Sequence, residues 1–466
     1  MNTRIFGKIV KDPAFYKSVL MIGLPIALQN MITLSVSVAD TLMLGRADTT
    51  GLLLSASSLA NQPFNLMTTL CFGLSGGTSV LCTQYYGKGD YNAIRTVFSI
   101  VLRCAICLTF VFAFAVLVFP EWVMSLFTNN SATITAGAEY LSIIGWAYVF
   151  FGVSYTLQCM LRTVAKVNIS VVTSIVSLLV NVLGNWVLIF GHLGFDPMGI
   201  RGAAIATLVA RLVEFVIMFT YTFFIEKEIG YRLRHIFLGS SALFRDFVRY
   251  GIPVFLNEAA WSLAIAVQAS IIGHIDYATG DPVAAYAIND IMSSLSILAI
   301  WGIAGGSAVL VGSAIGEGDF DKARERANTF QLLGALCGLF GTVIILVLRD
   351  PILSLYDMEP VTHALAVDML NVTAAMQVFV ALSAVAIVGA LRSAADTVFC
   401  FVSESLSLWC VSIPLAFLGA NILELPVWSV ILLMKSSEII KAVVCHIRIM
   451  GGRFIKNVTR EKDEIA

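Results

Sequence analysis

The sequence predicts an all-α polytopic membrane protein. It reads as twelve transmembrane helices in two six-helix bundles related by a pseudo-two-fold along the membrane normal. Three observations lead there. The composition is 58% hydrophobic and 13% charged, with a mean hydropathy of +0.87, against about 25% charged residues in ordinary globular chains. Apolar runs long enough to cross a bilayer, which takes roughly 20 helical residues, occur twelve times. And the chain repeats itself. Residues 73–95, GLSGGTSVLCTQYYGKGDYNAIR, return at 302–324 as GIAGGSAVLVGSAIGEGDFDKAR, an offset of 229. Gly23-Leu24-Pro25 pairs with Gly251-Ile252-Pro253, Asn61 with Asn289, and Leu161-Arg162 with Leu391-Arg392. A shared register of glycines, an Asp and a closing Arg marks two copies of a unit of about 230 residues.

The apolar runs fall at 16–44, 53–82, 94–119, 134–159, 168–191, 200–225, 246–273, 283–312, 326–348, 361–391, 397–419 and 425–448. Pro120, Asp196-Pro197, Asp281-Pro282, Asp350-Pro351 and Pro426 punctuate them. The expected division is an N-terminal lobe over 1–225 with spans one to six, a charged linker over 226–245, and a C-terminal lobe over 246–466 with spans seven to twelve and a short tail. Six spans per repeat is an even number, so the second copy enters the membrane with the polarity of the first. In transporters with parallel repeats the substrate sits between or within the halves, and transport comes from rocking one bundle against the other.

Charge sets the orientation. With the N-terminus placed inside, the inner segments hold 22 basic residues. Among them are Arg4, Lys8, Lys11 and Lys17 at the start, Lys227, Arg232 and Arg234 in the linker, and Arg453, Lys456, Arg460 and Lys462 in the tail. The outer segments hold Arg46, Arg201 and Arg349. This is a positive-inside pattern with both termini cytoplasmic. The first 17 residues lack a short apolar core ending in a small-residue cleavage site, so the first span is expected to act as its own signal.

Several function classes are disfavoured. A net charge of −1 gives no basic surplus for nucleic acid. No GxxxxGK-Ser/Thr loop is present, so ATP is not the expected energy source. Cys104 and Cys107 have CxxC spacing but sit in an apolar run without a second Cys or His pair, which reads as buried thiols rather than a metal or redox site. His192, His235, His274, His363 and His446 are scattered, and no catalytic constellation is expected. Gly73/Gly77 and Gly302/Gly306 read as small-xxx-small packing pairs. Gly87-Lys88-Gly89-Asp90 and Gly316-Glu317-Gly318-Asp319 read as turns at the inner ends of spans two and eight.

On these residues the chain resembles the multidrug and toxic compound extrusion (MATE) family. The resemblance rests on twelve spans in two repeats, Gly-Leu-Pro at the head of span one, Asp40-Thr41 near its end, the two Gly-rich stretches, and Leu-Arg after spans four and ten. It covers nearly the whole chain and implies a V-shaped pair of lobes and cation-driven antiport of organic cations or other amphiphiles. Residue by residue, it matches the family's first-span acid to Asp40, its fifth-span polar pair to Asn181 and Asn185, its sixth-span hydroxyl to Thr207 and its seventh-span acid to Glu258. Asn185 stands where some members carry Asp, which weakens a full sodium-type cage. Residues 378–388 carry no charge where some members have a span-ten acid.

Charges within spans are costly and usually functional. Asp40 lies in the outer part of span one; its repeat-mate is Gln268, so the shared fold does not require the acid. Asn181 and Asn185 share one helix face at i, i+4; interhelical hydrogen bonding is their competing role. Glu258 lies on the inner side of span seven, with structural pairing as its alternative. Asp290, in the outer part of span eight, is a further coupling candidate. Arg211/Glu214 and Lys435/Glu438/Lys441 run at i, i+3 and are expected to neutralise one another. Pro25 gives span one a built-in bend point, because its nitrogen cannot donate a helical hydrogen bond.

The resulting expectation is a secondary antiporter of the bacterial plasma membrane, monomeric, coupled to H+ or Na+ with the proton favoured, and needing no other cofactor. Its partners would be the lipid bilayer and a small cationic or amphiphilic molecule, with no nucleic acid. A lone carboxylate among amides suits a proton better than a desolvated sodium ion. A lipid-linked oligosaccharide flippase of similar architecture is the rival, but its anionic passenger would want basic groups where Asp40 and Glu258 stand. A channel or a receptor is a rival from another class; a receptor would bring a soluble domain, and the segments between spans are too short for one.

Overall fold

The computed structural model describes residues 7–48, 51–275, 281–356 and 358–465. Arg4, counted in the charge bias above, lies outside them. No strand occurs among the described residues, and the fold is the all-α polytopic one expected. The helices are α1 (Pro13–Ala47), α2 (Leu52–Ala60), α3 (Gln62–Lys88), α4 (Tyr91–Val118), the short α5 (Pro120–Ser125), α6 (Ser131–Thr163), α7 (Asn168–Leu188), α8 (Ile200–Thr220), α9 (Ser241–Gly273), α10 (Pro282–Gly316), α11 (Phe320–Leu353), α12 (Pro360–Ala384), α13 (Thr397–Ser405), α14 (Ile413–Phe417) and α15 (Val427–Met450). Wider π-helical turns extend α8 over Tyr221–Ile225, extend α12 over Val385–Leu391, and join α13 to α14 over Leu406–Ser412. Among the described residues, eleven of the spans are long and apolar enough to cross a membrane. The twelfth, α15, has the length at 24 residues but carries Lys435, Glu438 and Lys441.

Each apolar run becomes a helix, and most helices overrun it. Backbone hydrogen bonding has no reason to stop at the edge of the hydrocarbon, so polar flanks continue the ladder. Caps end it: Asn130 and Asp281 accept hydrogen bonds from the first free amides of α6 and α10, as side-chain N-caps do. The second span is broken once, at Asn61. Pro63 follows it, and a proline removes one hydrogen bond and crowds the carbonyl four residues back. Outward faces stay apolar, with Phe110, Val111 and Phe114 each more than half exposed. Such a surface needs lipid to cover it, and the chain is a multi-pass membrane protein.

The described residues form two compact units. Of the described residues, one contains those within 7–27, 79–90 and 246–461, and the other those within 28–78, 91–245 and 462–465. Two helices thus pass from one unit to the other, α1 just after Pro25 and α3 at Thr78. The first unit has cores around Phe15, Val311, Phe330 and Leu391 and around Ile288, Met369 and Val430. The second is built on Met67, Tyr148, Leu141 and Ile200.

Within the first unit the two repeated stretches meet each other. A Cβ at Gly87 would lie 2.0 Å from the Ser313 carbonyl oxygen, and one at Gly316 would lie 1.8 Å from that of Gln84. These contacts are reciprocal at an offset of 229, as a two-fold relation requires. Thr83 and Gly312, themselves repeat-mates, touch at its centre. Only glycine permits backbones this close. The turns that follow need left-handed backbone, supplied by Gly89 (φ +75°) and Gly318 (φ +82°). The tail locks the same place. Gln84 donates to the carbonyls of Ser393 (2.8 Å) and Lys456 (3.0 Å) and accepts from Val458 N–H (2.9 Å), while Arg460 grips Asp246 with two hydrogen bonds.

Candidate functional site

Four of the residues singled out in the sequence come together in the second unit. Asp40 lies on α1, seven residues before its C-terminal end. Asn185 on α7 donates from Nδ2 to Asp40 Oδ1 at 2.5 Å. The same Nδ2 lies 3.3 Å from Asn181 Oδ1, one turn away. Asn181 in turn donates to Thr207 Oγ1 on α8 at 3.2 Å. Both asparagines are fully buried, and Asp40 is half-buried. Helical periodicity explains the geometry: i, i+4 places both amides on one face, and that face looks at α1 and α8.

Two features complete the cluster. The buried Tyr140 hydroxyl adjoins Asn61 and Thr207. Asn185 Oδ1 is buried and accepts no hydrogen bond. A buried acceptor without a donor costs about 1–3 kcal/mol, so this atom stands ready to receive one. Nearby positive charge is already committed. Arg211, one turn beyond Thr207, pairs with Glu214 at 2.8 Å and lies over the Phe151 ring at 4.8 Å. Glu214 also accepts from Gln158 Nε2 at 2.7 Å. Gln158 meets Gln29, which accepts from Arg162 at 3.1 Å. Asp40 therefore sits among neutral hydrogen-bonding groups, with the Arg211–Glu214 pair balanced beside it.

The remaining predicted residues lie in the first unit. Glu258 is buried on α9 and paired to the buried Arg392 at 2.5 Å. Beside them, Asn257 donates to Glu404 at 2.7 Å, and Lys441 reaches Glu404 at 3.7 Å and Glu438 at 2.7 Å. Glu438 also accepts from Ser383 at 2.7 Å. The expected mutual neutralisation on α15 is only half made. Glu438 turns to Lys441, which is held from its other side by Glu404, and Lys435 is left without an ion pair within 4.0 Å among the described residues. Asp290 is exposed on α10, with no hydrogen bond among the described residues; Lys435 is the charge that attracts it. Pro25 lies inside an unbroken α1, two residues before that helix changes unit.

Sequence reasoning missed Glu404, Tyr140 and Asn61 at these places. Glu404 was readable, being a single acid within the apolar run 397–419. Tyr140 carries no such mark, because a tyrosine in a span is usually packing.

The comparisons with known proteins follow the same outline. The sequence model of the MatE family matches residues 25–187 and again 253–418, once in each repeat. The chain is 24% identical over 453 residues to a probable multidrug resistance protein NorM of Thermotoga maritima, covering 97% of this chain and 96% of that one. It is 25% identical to the multidrug resistance protein PmpM of Pseudomonas aeruginosa, covering 86% and 83%. Among solved structures, an outward-facing multidrug resistance MATE family transporter superposes with a TM-score of 0.84 at 16% identity, covering 96% and 98%. A MOP superfamily transporter from Pyrococcus furiosus, whose description notes a binding pocket of reverse polarity, gives 0.83 at 17% identity, covering 96% and 98%.

Proposed function

This chain belongs to the MatE family, and from that premise we propose that it is a secondary antiporter exporting cationic or amphiphilic small molecules, drugs among them, driven by protons through Asp40. The family is one of membrane transporters, and relatives named as multidrug resistance proteins span nearly the whole chain. They favour drug export over lipid-linked oligosaccharide flipping.

One observation carries the proton reading: the unfilled Asn185 Oδ1 beside Asp40. An ionised carboxylate can only accept hydrogen bonds, so it satisfies Asn185 Nδ2 and leaves Oδ1 bare. A protonated Asp40 gains an O–H donor. It can accept from Nδ2 and donate to Oδ1 together, closing an acid–amide ring that leaves neither group unpaired. Protonation then discharges the site, weakens its hold on a cationic passenger and lets α1 repack about Pro25. Asn181, itself donating to Thr207, holds Asn185 in place. Sodium would want more anionic oxygen than one carboxylate supplies.

The proposed orientation has both termini cytoplasmic in the bacterial plasma membrane, as the basic residues indicate. The test of the reading is dye efflux from proteoliposomes under an imposed proton gradient or an imposed sodium gradient. The proton gradient alone is expected to drive it, and Asp40→Asn to cut driven efflux at least tenfold. Sodium-only drive in the wild type would overturn the proton assignment.

A further inference from the structure

The tail after α15 is held in two places by two kinds of contact. Its root belongs to the second repeat. Arg324 on α11 donates to the Met450 carbonyl, and Phe454 is fully buried in the core that holds Ile315 and Leu391. Lys456 N–H then donates to the Ala394 carbonyl at 3.2 Å. Arg95, the repeat-mate of Arg324 at the offset of 229, likewise donates to the Ile229 carbonyl beyond the last span of the first repeat, at 2.6 Å. The root therefore follows the shared fold.

The tip goes further, onto a helix of the first repeat. Residues 456–461 lie along the end of α3, from Gln84 to Lys88. Gln84 donates to the Lys456 carbonyl and accepts from Val458 N–H. The Tyr85 hydroxyl accepts from Arg460 N–H at 3.1 Å. Lys88 donates to the Arg460 carbonyl at 3.0 Å and pairs with Glu461 at 2.8 Å. The same tip holds the second repeat. Asn457 donates to the Ile315 carbonyl on α10 at 3.2 Å, and the Arg460 guanidinium reaches the buried Asp246 on α9 at 2.5 and 2.8 Å. It thus fastens α3 to α10 and α9 just where Gly87 abuts Ser313 and Gly316 abuts Gln84.

Root and tip differ in what release would cost. Withdrawing Phe454 would expose a whole aromatic side chain to water. The tip has one apolar residue, Val458, and that is only half-buried; water can replace hydrogen bonds such as the tip makes at modest net cost. The tail is therefore rooted at Phe454 and releasable beyond it. When parallel repeats rock, helix ends that touch on one side must part as that side opens. α3 and α10 end together at Lys88 and Gly316, on the side proposed to be cytoplasmic, and they cannot part while the tip spans them.

We propose that residues 456–461 are the latch of the inward-opening gate, with Gln84, Lys88 and Asp246 as its keepers. The tip is docked while this side is closed and leaves α3 each time it opens. The latch needs the two repeats to rock; it is indifferent to the passenger and to the coupling ion.

The test has two arms, both on the full-length chain in a cysteine-free background. Thr83, fully buried against Gly312, is the reporter of the first. Labelling of Thr83→Cys by a maleimide in purified protein reads the parting of α3 from α10 without any transport. Adding Arg460→Gln is expected to speed labelling about tenfold, or 1.4 kcal/mol, and Arg460→Lys to have a much smaller effect. The second arm tethers the tip, joining Lys88→Cys to Glu461→Cys with a cleavable bismaleimide in proteoliposomes. Tethering should arrest dye efflux while dye binding in detergent is kept, and cleavage should restore efflux. Unchanged labelling with Arg460→Gln, or undiminished efflux from the tethered protein, would overturn the latch. Faster labelling accompanied by lost dye binding would mark unfolding and overturn it as well. If the untethered protein exports no dye, faster labelling with dye binding kept upholds the latch, and it is the export reading that fails.

Discussion

At the scale of single residues, the two units put acids to different uses. Asp40 meets amides and hydroxyls, while Glu258 meets a guanidinium at 2.5 Å with both partners buried. A buried ion pair adds little to stability compared with an apolar replacement, yet removing one partner costs about 3–5 kcal/mol because the other charge is stranded. Glu258→Gln should therefore lower the melting temperature and the yield of folded protein, and Glu258→Gln with Arg392→Gln should recover much of the loss. The measurement is thermal unfolding in detergent, followed by tryptophan fluorescence. A single Glu258→Gln variant of wild-type stability but lost transport would return Glu258 to a coupling role.

Much of this was legible. Asp40 stands out as an acid within an apolar run, whereas Asn181, Asn185 and Thr207 are reached through the family resemblance, and hydrogen bonds link the four. Which acid pairs with which base was not. Lys435, Glu438 and Lys441 have the same spacing on either side of the acid, and sequence cannot see that Glu404, on another helix, holds Lys441 from its far side. Tyr140 and Asn61 were invisible for a related reason, since their relevance comes from what faces them.

At the scale of elements, the repeated Gly-rich stretch is a contact of the fold with its own copy. Gly87 abuts Ser313 and Gly316 abuts Gln84 so closely that any Cβ strikes backbone. Sequence placed these glycines in turns and packing pairs, which holds for Gly89 and Gly318 with their positive φ. It did not say that the partner of each stretch is the other. Backbone cannot yield as a side-chain tip can, so Gly316→Ala must part α3 from α10 at this point. The expected result is a protein that expresses at reduced level and is cut more readily by trypsin in the tail at Lys456 and Arg460, whose hold depends on Gln84 and Asp246. Unchanged protease resistance would show that the contact is looser than its geometry implies.

At the scale of the whole molecule, hydropathy and charge yield spans, their number and an expected orientation, but not how helices are shared. The compact units divide α1 after Ala27 and α3 after Thr78. A hydropathy run carries no mark of that, since both halves of each helix are equally apolar. The orientation is checked by single cysteines on a cysteine-free background. Replacements at Asp48 and Asn129 should react with an impermeant thiol reagent on intact cells, and one at Lys88 should react only after permeabilisation. Labelling of Lys88→Cys from outside would invert the topology and reverse the direction of transport.

The central claim is that passenger and proton compete through Asp40. Linkage requires the competition to be reciprocal: if a proton expels the passenger, passenger binding must expel a proton. The direct measurement is proton release into weakly buffered detergent solution when a cationic dye binds the purified protein. The account predicts release of ~1 proton per dye bound by the wild type, and binding without release by Asp40→Asn. Release by Asp40→Asn equal to that of the wild type would contradict it.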